Sequence, residues 1–240
     1  MKNLKNKIYQ QLSDLAEVAV TIAIIIILSK IFLGPQMLIP LVAVTSGSME
    51  HTDDGWRNWL ISKGIPPEEI SKFPMQNGFN KGDMILTITP DDKGTIIPIF
   101  PETKLGDVVI YNRDKKHPGS EPIIHRVVGI VEVENWSIRN VTGTLDCLSE
   151  EDFRNTYIPY VKNCVNKQNC PYTQFPETGD FRFYMTKGDN QQTNMVTDQC
   201  GKNGGIALPV TDAQLIARGW IRIPYVGHLK LLLNYLLGLG

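Results

Sequence analysis

Ser48 in Thr45-Ser46-Gly47-Ser48-Met49, His125 in Ile123-Ile124-His125-Arg126-Val127-Val128, and the two aspartates Asp189 and Asp198 are the side chains whose types suit acyl chemistry. A serine hydroxyl is a poor nucleophile until a base removes its proton, and amide cleavage also needs donors for the developing oxyanion. Gly47 before Ser48 allows a sharp turn that presents the hydroxyl and leaves backbone N–H groups free, with Ser46 able to offer a second donor. A histidine inside an apolar strand-like run needs a reason to be there. Imidazole, ordinarily titrating near ~6.5, accepts a proton at neutral pH once a carboxylate fixes its tautomer. Asp198 is the first candidate for that carboxylate and Asp189, in Thr186-Lys187-Gly188-Asp189-Asn190, the second. Taken alone, each feature also has a structural reading: a common Ser-Gly-Ser loop, a satisfied core histidine and turn-forming aspartates.

These groups must be carried by strands. Met84 to Thr89, Asp107 to Asn112, Ile123 to Val133, Ser137 to Val141 and Asp180 to Lys187 are rich in Val, Ile, Thr and aromatics and bounded by Gly, Pro and Asp. This pattern predicts a mainly β domain over 38–228, curled into a barrel or two packed sheets. Leu38 to Thr45 reads as a short strand entering the Ser-Gly-Ser turn, after a break at Gly34-Pro35 and Pro40. Two polar insertions interrupt the domain. Residues 51–80 hold Trp56, Trp59 and Pro66-Pro67 and read as a helical hairpin or cap; 145–178 read as a stapled surface excursion.

Residues 15–33, LAEVAVTIAIIIILSKIFL, carry charge only at Glu17 and Lys30, and are long and apolar enough to predict a membrane span. They exceed the h-region of a cleaved leader and lack a small-x-small exit, so an uncleaved anchor is expected. Lys2, Lys5 and Lys7 precede it, which places residues 1–14 in the cytoplasm and everything beyond the anchor outside. In that oxidising setting Cys147, Cys164, Cys170 and Cys200 are expected to form two disulfides, with all three connectivities open. A zinc site is the competing reading, without the C-x2-C spacing or paired histidines it needs. Asn135-Trp136-Ser137 and Asn140-Val141-Thr142 match glycosylation sequons. The apolar segment 229–240 is too short to cross a bilayer and reads as an interfacial helix. A net charge of −1 without a Lys/Arg block argues against nucleic acid as a partner.

The ordered set Ser46-Gly47-Ser48-Met49, Gly106-Asp107-Val108-Val109, Ile124-His125-Arg126-Val127-Val128, Thr186-Lys187-Gly188-Asp189-Asn190 and Ile223-Pro224-Tyr225-Val226-Gly227 resembles type I signal peptidases over roughly residues 38–230. Histidine rather than lysine before Arg126 resembles the Ser/His branch found in archaea and secretory membranes. The resemblance implies a signal-peptidase-like catalytic domain in which Ser48 attacks and His125 is base, then acid. It further implies that Ser46 and the Ser48 N–H hold the oxyanion, that Met49 belongs to the substrate-binding turn and that an aspartate after the motif orients the histidine. The substrates would be signal peptides of preproteins, cut after small side chains at the bilayer, with accessory membrane subunits as further partners and no metal or other cofactor. The family usually has a proline where this chain has Glu50-His51, which makes His51 a rival base. Two further readings stand beside this one: a Ser/Lys protease using Lys81, Lys104 or Lys187, and a non-catalytic membrane-anchored binding module.

Overall fold

The computed structural model describes residues 2–33, 40–91, 102–201 and 205–228. Helix α1 (Lys2–Leu33) contains one stretch, Tyr9–Ile31, with a mean hydropathy of 2.1 and none of it buried against the protein. It is long and apolar enough to span a membrane. Its two hydroxyls between Glu17 and Lys30 are satisfied within the helix: Thr21 donates to the Glu17 carbonyl and Ser29 to that of Ile26. Such internal pairing is what a lipid environment demands.

The rest is mostly sheet. Eight antiparallel strands, β1 (Leu41–Ala43), β2 (Met84–Ile88), β3 (Val108–Tyr111), β4 (Ile123–Glu134), β5 (Ser137–Gly143), β6 (Phe181–Lys187), β7 (Val210–Thr211) and β8 (Leu215–Ile223), form one curled sheet. Their order is β1-β2-β8-β3-β4-β6-β7, with β5 on the outer half of β4. The five predicted strands are present, and β1 occupies the centre of the predicted Leu38–Thr45 stretch, whose first two residues lie outside the described residues. So does the predicted 229–240 segment. β7 and β8 are additions to the expected set. β8 sits between β2 and β3, where Arg218 is neutralised by Asp107, at 2.8 Å.

β4 is buried along almost its whole length because it is covered on both faces, whereas β5 shows the exposure of an edge strand. Its cover comes from both insertions. In the 51–80 cap, α2 (Gly55–Ser62) and α3 (Pro67–Ile70) put Trp56, Trp59, Leu60 and Ile70 into the main core. The 145–178 excursion is helical: α4 (Glu150–Asp152), a π-helical turn at Phe153–Tyr157 and α5 (Ile158–Val165) add Phe153, Ile158 and Val161 to the same core. Ser149 and Asp152 form a reciprocal capping box at its start. A smaller apolar cluster, Val44, Met49, Phe79, Ile85 and Val108, lies beneath the Ser48 turn.

All four cysteines are paired, as Cys147–Cys200 and Cys164–Cys170. The second staples only the excursion. The first joins the excursion to the segment holding Asp198, across 53 residues of sequence. Cross-linking a loop of that length stabilises by about 4 kcal/mol in the chain-entropy account, against about 2 kcal/mol for the six-residue loop. Replacing Cys147 and Cys200 together by serine is therefore expected to lower the thermal midpoint about twice as far as replacing Cys164 and Cys170, a difference read by calorimetry on the two variants.

Candidate active site

The turn after β1 is fastened on three sides. The Val44 N–H donates to the Asp83 carbonyl and Gly82 N–H returns a bond to Val44, tying the turn to the start of β2. Phe79 N–H donates to the Met49 carbonyl. From the loop after β6, the Asn190 N–H donates to the Ser48 carbonyl at 2.8 Å and its side-chain amide to the Gly47 carbonyl at 2.9 Å. With the carbonyls of Gly47 and Ser48 drawn inward, Ser46 is exposed and Ser48 half-buried. Their hydroxyls lie 3.3 Å apart. The Ser48 N–H has no hydrogen-bond partner among the described residues. Met49 is 0 % exposed, and its sulfur accepts from the Asp189 N–H. Its side chain thus anchors the turn from beneath and presents no surface to a substrate.

His125 lies on β4 opposite Val109 of β3, with 4 % of its surface exposed. Its Nδ1–H donates to Asp198 Oδ2 at 2.7 Å, which leaves Nε2 as the acceptor. The same oxygen takes the Tyr111 hydroxyl at 2.8 Å and the Thr186 hydroxyl at 2.6 Å. Burial first, and the Asp198 charge after it, push the Tyr111 phenol well above its ordinary value, so it stays a donor. Asp198 itself is held by the backbone: its N–H donates to Thr186, and its carbonyl accepts from Ile206 and Ala207. Gly205, at φ +85°, permits that return; a side chain there would run into the Asp198 carbonyl.

Asp189, the second candidate, faces elsewhere. Its carboxylate takes the Arg126 guanidinium, with Nη2 at 2.6 Å and Nε at 2.9 and 3.1 Å, and His51 Nε2 at 2.7 Å. Burial alone would raise this carboxyl, but the Arg126 charge and then the His51 hydrogen bond hold it at about 2. Arg126, 0 % exposed, also donates to the carbonyls of Pro74, Met75 and Gly106 and lies against the Trp56 ring. Gly106 makes this approach at φ +88°, with Phe73 packed where a side chain would begin. His51, the rival base, spends both ring nitrogens, one on Asp189 and one at 3.0 Å from the Gln76 carbonyl.

The lysines divide in the same way. Lys81 and Lys104 are exposed. Lys187 is buried, and burial pushes its ammonium down to about 8 against the pull of Asp189, Asp198 and Asp146. Its Nζ donates to the Gly188 carbonyl and to Gln191, and packs on the Trp59 ring, 4.9 Å away.

Ser48 and His125 are each tied to β6 or to the loop that follows it. Lys187, at the end of β6, pairs with Arg126 next to His125, and three residues on Asn190 grips Ser48. Ser48 Oγ meets Ser46 in this ligand-free arrangement and makes no bond to His125; nucleophile–base contacts commonly form only with substrate in place. The arrangement supplies a half-exposed hydroxyl, an acid-oriented imidazole and two adjacent donors. Tyr111, Thr186 and Asn190 also belong to this arrangement, and their roles come from contacts across the sheet. Thr186 and Asn190 stand inside a recognised motif, while Tyr111, in an apolar strand, gave no signal. Among the described residues no cluster of three or more metal-ligating side chains is present. Comparison with family models, with curated proteins and with solved structures finds no match.

Proposed function

We propose that this chain is a membrane-anchored serine endopeptidase that removes N-terminal signal peptides from preproteins, with Ser48 as nucleophile and His125 as general base. The observation that carries the reading is the buried His125–Asp198 pair, with Tyr111 and Thr186 closing on the same carboxylate oxygen. Such an arrangement fixes one tautomer and stabilises the imidazolium that forms when a proton arrives at Nε2.

The steps follow from these groups. Ser48 Oγ attacks the peptide carbonyl as its proton passes to His125 Nε2. The oxyanion takes hydrogen bonds from the Ser48 N–H and the Ser46 hydroxyl. Collapse expels the amine, which leaves with the proton from His125, and Ser48 carries the acyl group. Water, deprotonated by His125, then releases the signal peptide and regenerates the serine.

Substrate enters as an extended strand. β1 ends the sheet order and pairs only with β2 among the described residues, so its free edge, running into the Ser48 turn, can accept another strand. The anchor explains the substrate class. α1 ends at Leu33 and β1 begins at Leu41, so the turn stays near the bilayer that also holds the apolar core of a signal peptide. Lys2, Lys5 and Lys7 before the span support a catalytic domain on the outer face of the cell membrane, a setting in which the two disulfides form readily.

The test is processing of a preprotein with an Ala-x-Ala exit by the full chain in liposomes. Cleavage at one bond, blocked when the alanine before the cut is replaced by a bulky residue, supports the reading. Indiscriminate cleavage or none removes it.

A further inference from the structure

Asparagine is a poor strand former, yet β5 carries one at its middle, Asn140, two residues before Thr142. The strand is built so that this pair faces out. Asn140 lies opposite Glu132 and Ile138 opposite Val133, which leaves Arg139 as one extra residue, a bulge. Strict alternation from Ile138 would turn Asn140 and Thr142 inward and Val141 outward. The bulge shifts the phase: Ile138 and Val141 pack against the main core, whereas Asn140 and Thr142 are exposed. The Asn140 amide donates to the Thr142 hydroxyl at 3.3 Å. Across the strands the row from Asn140 runs through Glu132 to Arg182, so its neighbours on this face are polar. The other Asn-x-Ser/Thr match, Asn135-Trp136-Ser137, is of a different kind. Asn135 and Trp136 form the two-residue turn between β4 and β5, at φ 51° and 63°, a conformation that favours asparagine in its own right. The Asn135 N–H donates to the Asp180 carboxylate and the Trp136 N–H to the Gly179 carbonyl, while the Trp136 ring meets Phe181 at 5.9 Å. The turn accounts for Asn135; the strand gives no such reason for Asn140.

We propose that Asn140 is a site of N-linked glycosylation and that Asn135 is not. The co-substrate is an oligosaccharide carried on a polyprenyl pyrophosphate, and the catalyst is a separate transferase on the outer face of the membrane. The bond from Asn140 Nδ2 to the sugar C1 forms as the C1–O bond to the carrier breaks. The amide gives one proton to a base of the transferase, and the pyrophosphate leaves with the electron pair. Attached to the growing chain or to the finished one, the glycan is accommodated by the folded domain because Asn140 points to solvent. It also covers a sheet edge. Among the described residues β1, β5 and β7 each pair on one side only, and β5, with seven residues, is the longest of the three. A glycan on β5 guards that edge against pairing with other chains and leaves the β1 edge to accept a strand. The inference rests on the outer-face placement of the domain and is independent of the chemistry assigned to Ser48.

The test is cell-free synthesis of the full chain with endoplasmic-reticulum microsomes, which supply a dolichyl-pyrophosphate-linked oligosaccharide and its transferase. One glycan-sized increase in mass is expected, reversed by an amidase that cleaves the bond between asparagine and sugar. Asn140→Gln and Thr142→Ala should each abolish the increase, while Asn135→Gln should keep it. Ser48→Ala, which disables the proposed protease, should keep it too. An increase that survives Asn140→Gln overturns the inference. So does an unshifted chain whose domain resists added protease, since that domain has entered the vesicle and stayed unmodified. An unshifted chain whose domain is digested overturns the outer-face placement and this inference with it. A chain modified at Asn140 that cleaves no preprotein leaves the glycan site standing and removes the proposed activity instead.

Discussion

Asp198→Asn is expected to lower kcat for preprotein cleavage by about 10⁴-fold with little change in KM, while the protein stays folded. Three donors, from His125, Tyr111 and Thr186, converge on one Asp198 oxygen. If the asparagine turns its NH2 group to that point, it forces His125 Nδ1 to accept and places the remaining proton on Nε2, which then cannot take the Ser48 proton. Should it turn its oxygen there instead, the hydrogen bonds survive, but the charge that stabilises the imidazolium is lost. Both routes raise the barrier of the chemical step and neither touches the substrate strand. Asp189→Asn provides the contrast. Asp189 meets Arg126 and His51 and has no bond to His125, so its loss should appear chiefly as reduced stability. Steady-state kinetics of the two variants, with thermal melts alongside, check the assignment; the opposite pattern would make Asp189 the orienting acid.

Arg126→Met should cost about 3–5 kcal/mol of stability, because it leaves Asp189 buried beside a neutral side chain. It also strips donors from the carbonyls of Pro74, Met75 and Gly106, so the cap loses much of its attachment to β4. For a chain of this size that corresponds to a thermal midpoint lower by roughly 10 °C. The pH dependence has a definite sign. In the native protein Asp189 is held below its ordinary carboxylate value, so its contribution is present above about 4 and is lost as pH falls toward about 2. In the variant the buried carboxyl lacks its main counter-charge and rises, which favours folding once it is protonated. The stability gap between the two proteins should therefore be widest at neutral pH and narrow on acidification, as denaturant titrations across that range would measure.

What could be read ahead of the structure was local. The apolar run over residues 15–33, the β-branched strands bounded by Gly, Pro and Asp, and a histidine set in an apolar run are patterns within a few residues of one another. What escaped depends on partners far away in the chain. β8 holds Arg218 and Gly219 and lies in the interior of the sheet; its arginine is tolerable there because Asp107, 111 residues away, neutralises it. The 145–178 segment reads from its polar composition as a stapled surface excursion, although Ser149-Glu150-Glu151-Asp152 carries a legible capping box. Once helical, it buries Phe153 and Val161 against the sheet. Trp56 and Trp59 lie in a segment whose polar composition does not tell which surface they cover; they pack into the main core, against the Arg126 and Lys187 side chains. The choice between Asp198 and Asp189 was open for the same reason. Both follow β6, and only the hydrogen bonds across to β3 and β4 tell them apart.

Ser48 is the most direct point of test. The wild-type chain and Ser48→Ala, each folded into liposomes, are given the same preprotein, and the products are identified by mass. The account predicts that the wild type releases one signal peptide at a small-x-small exit and that Ser48→Ala slows this by at least about 10⁴-fold. Equal processing by both proteins would contradict it.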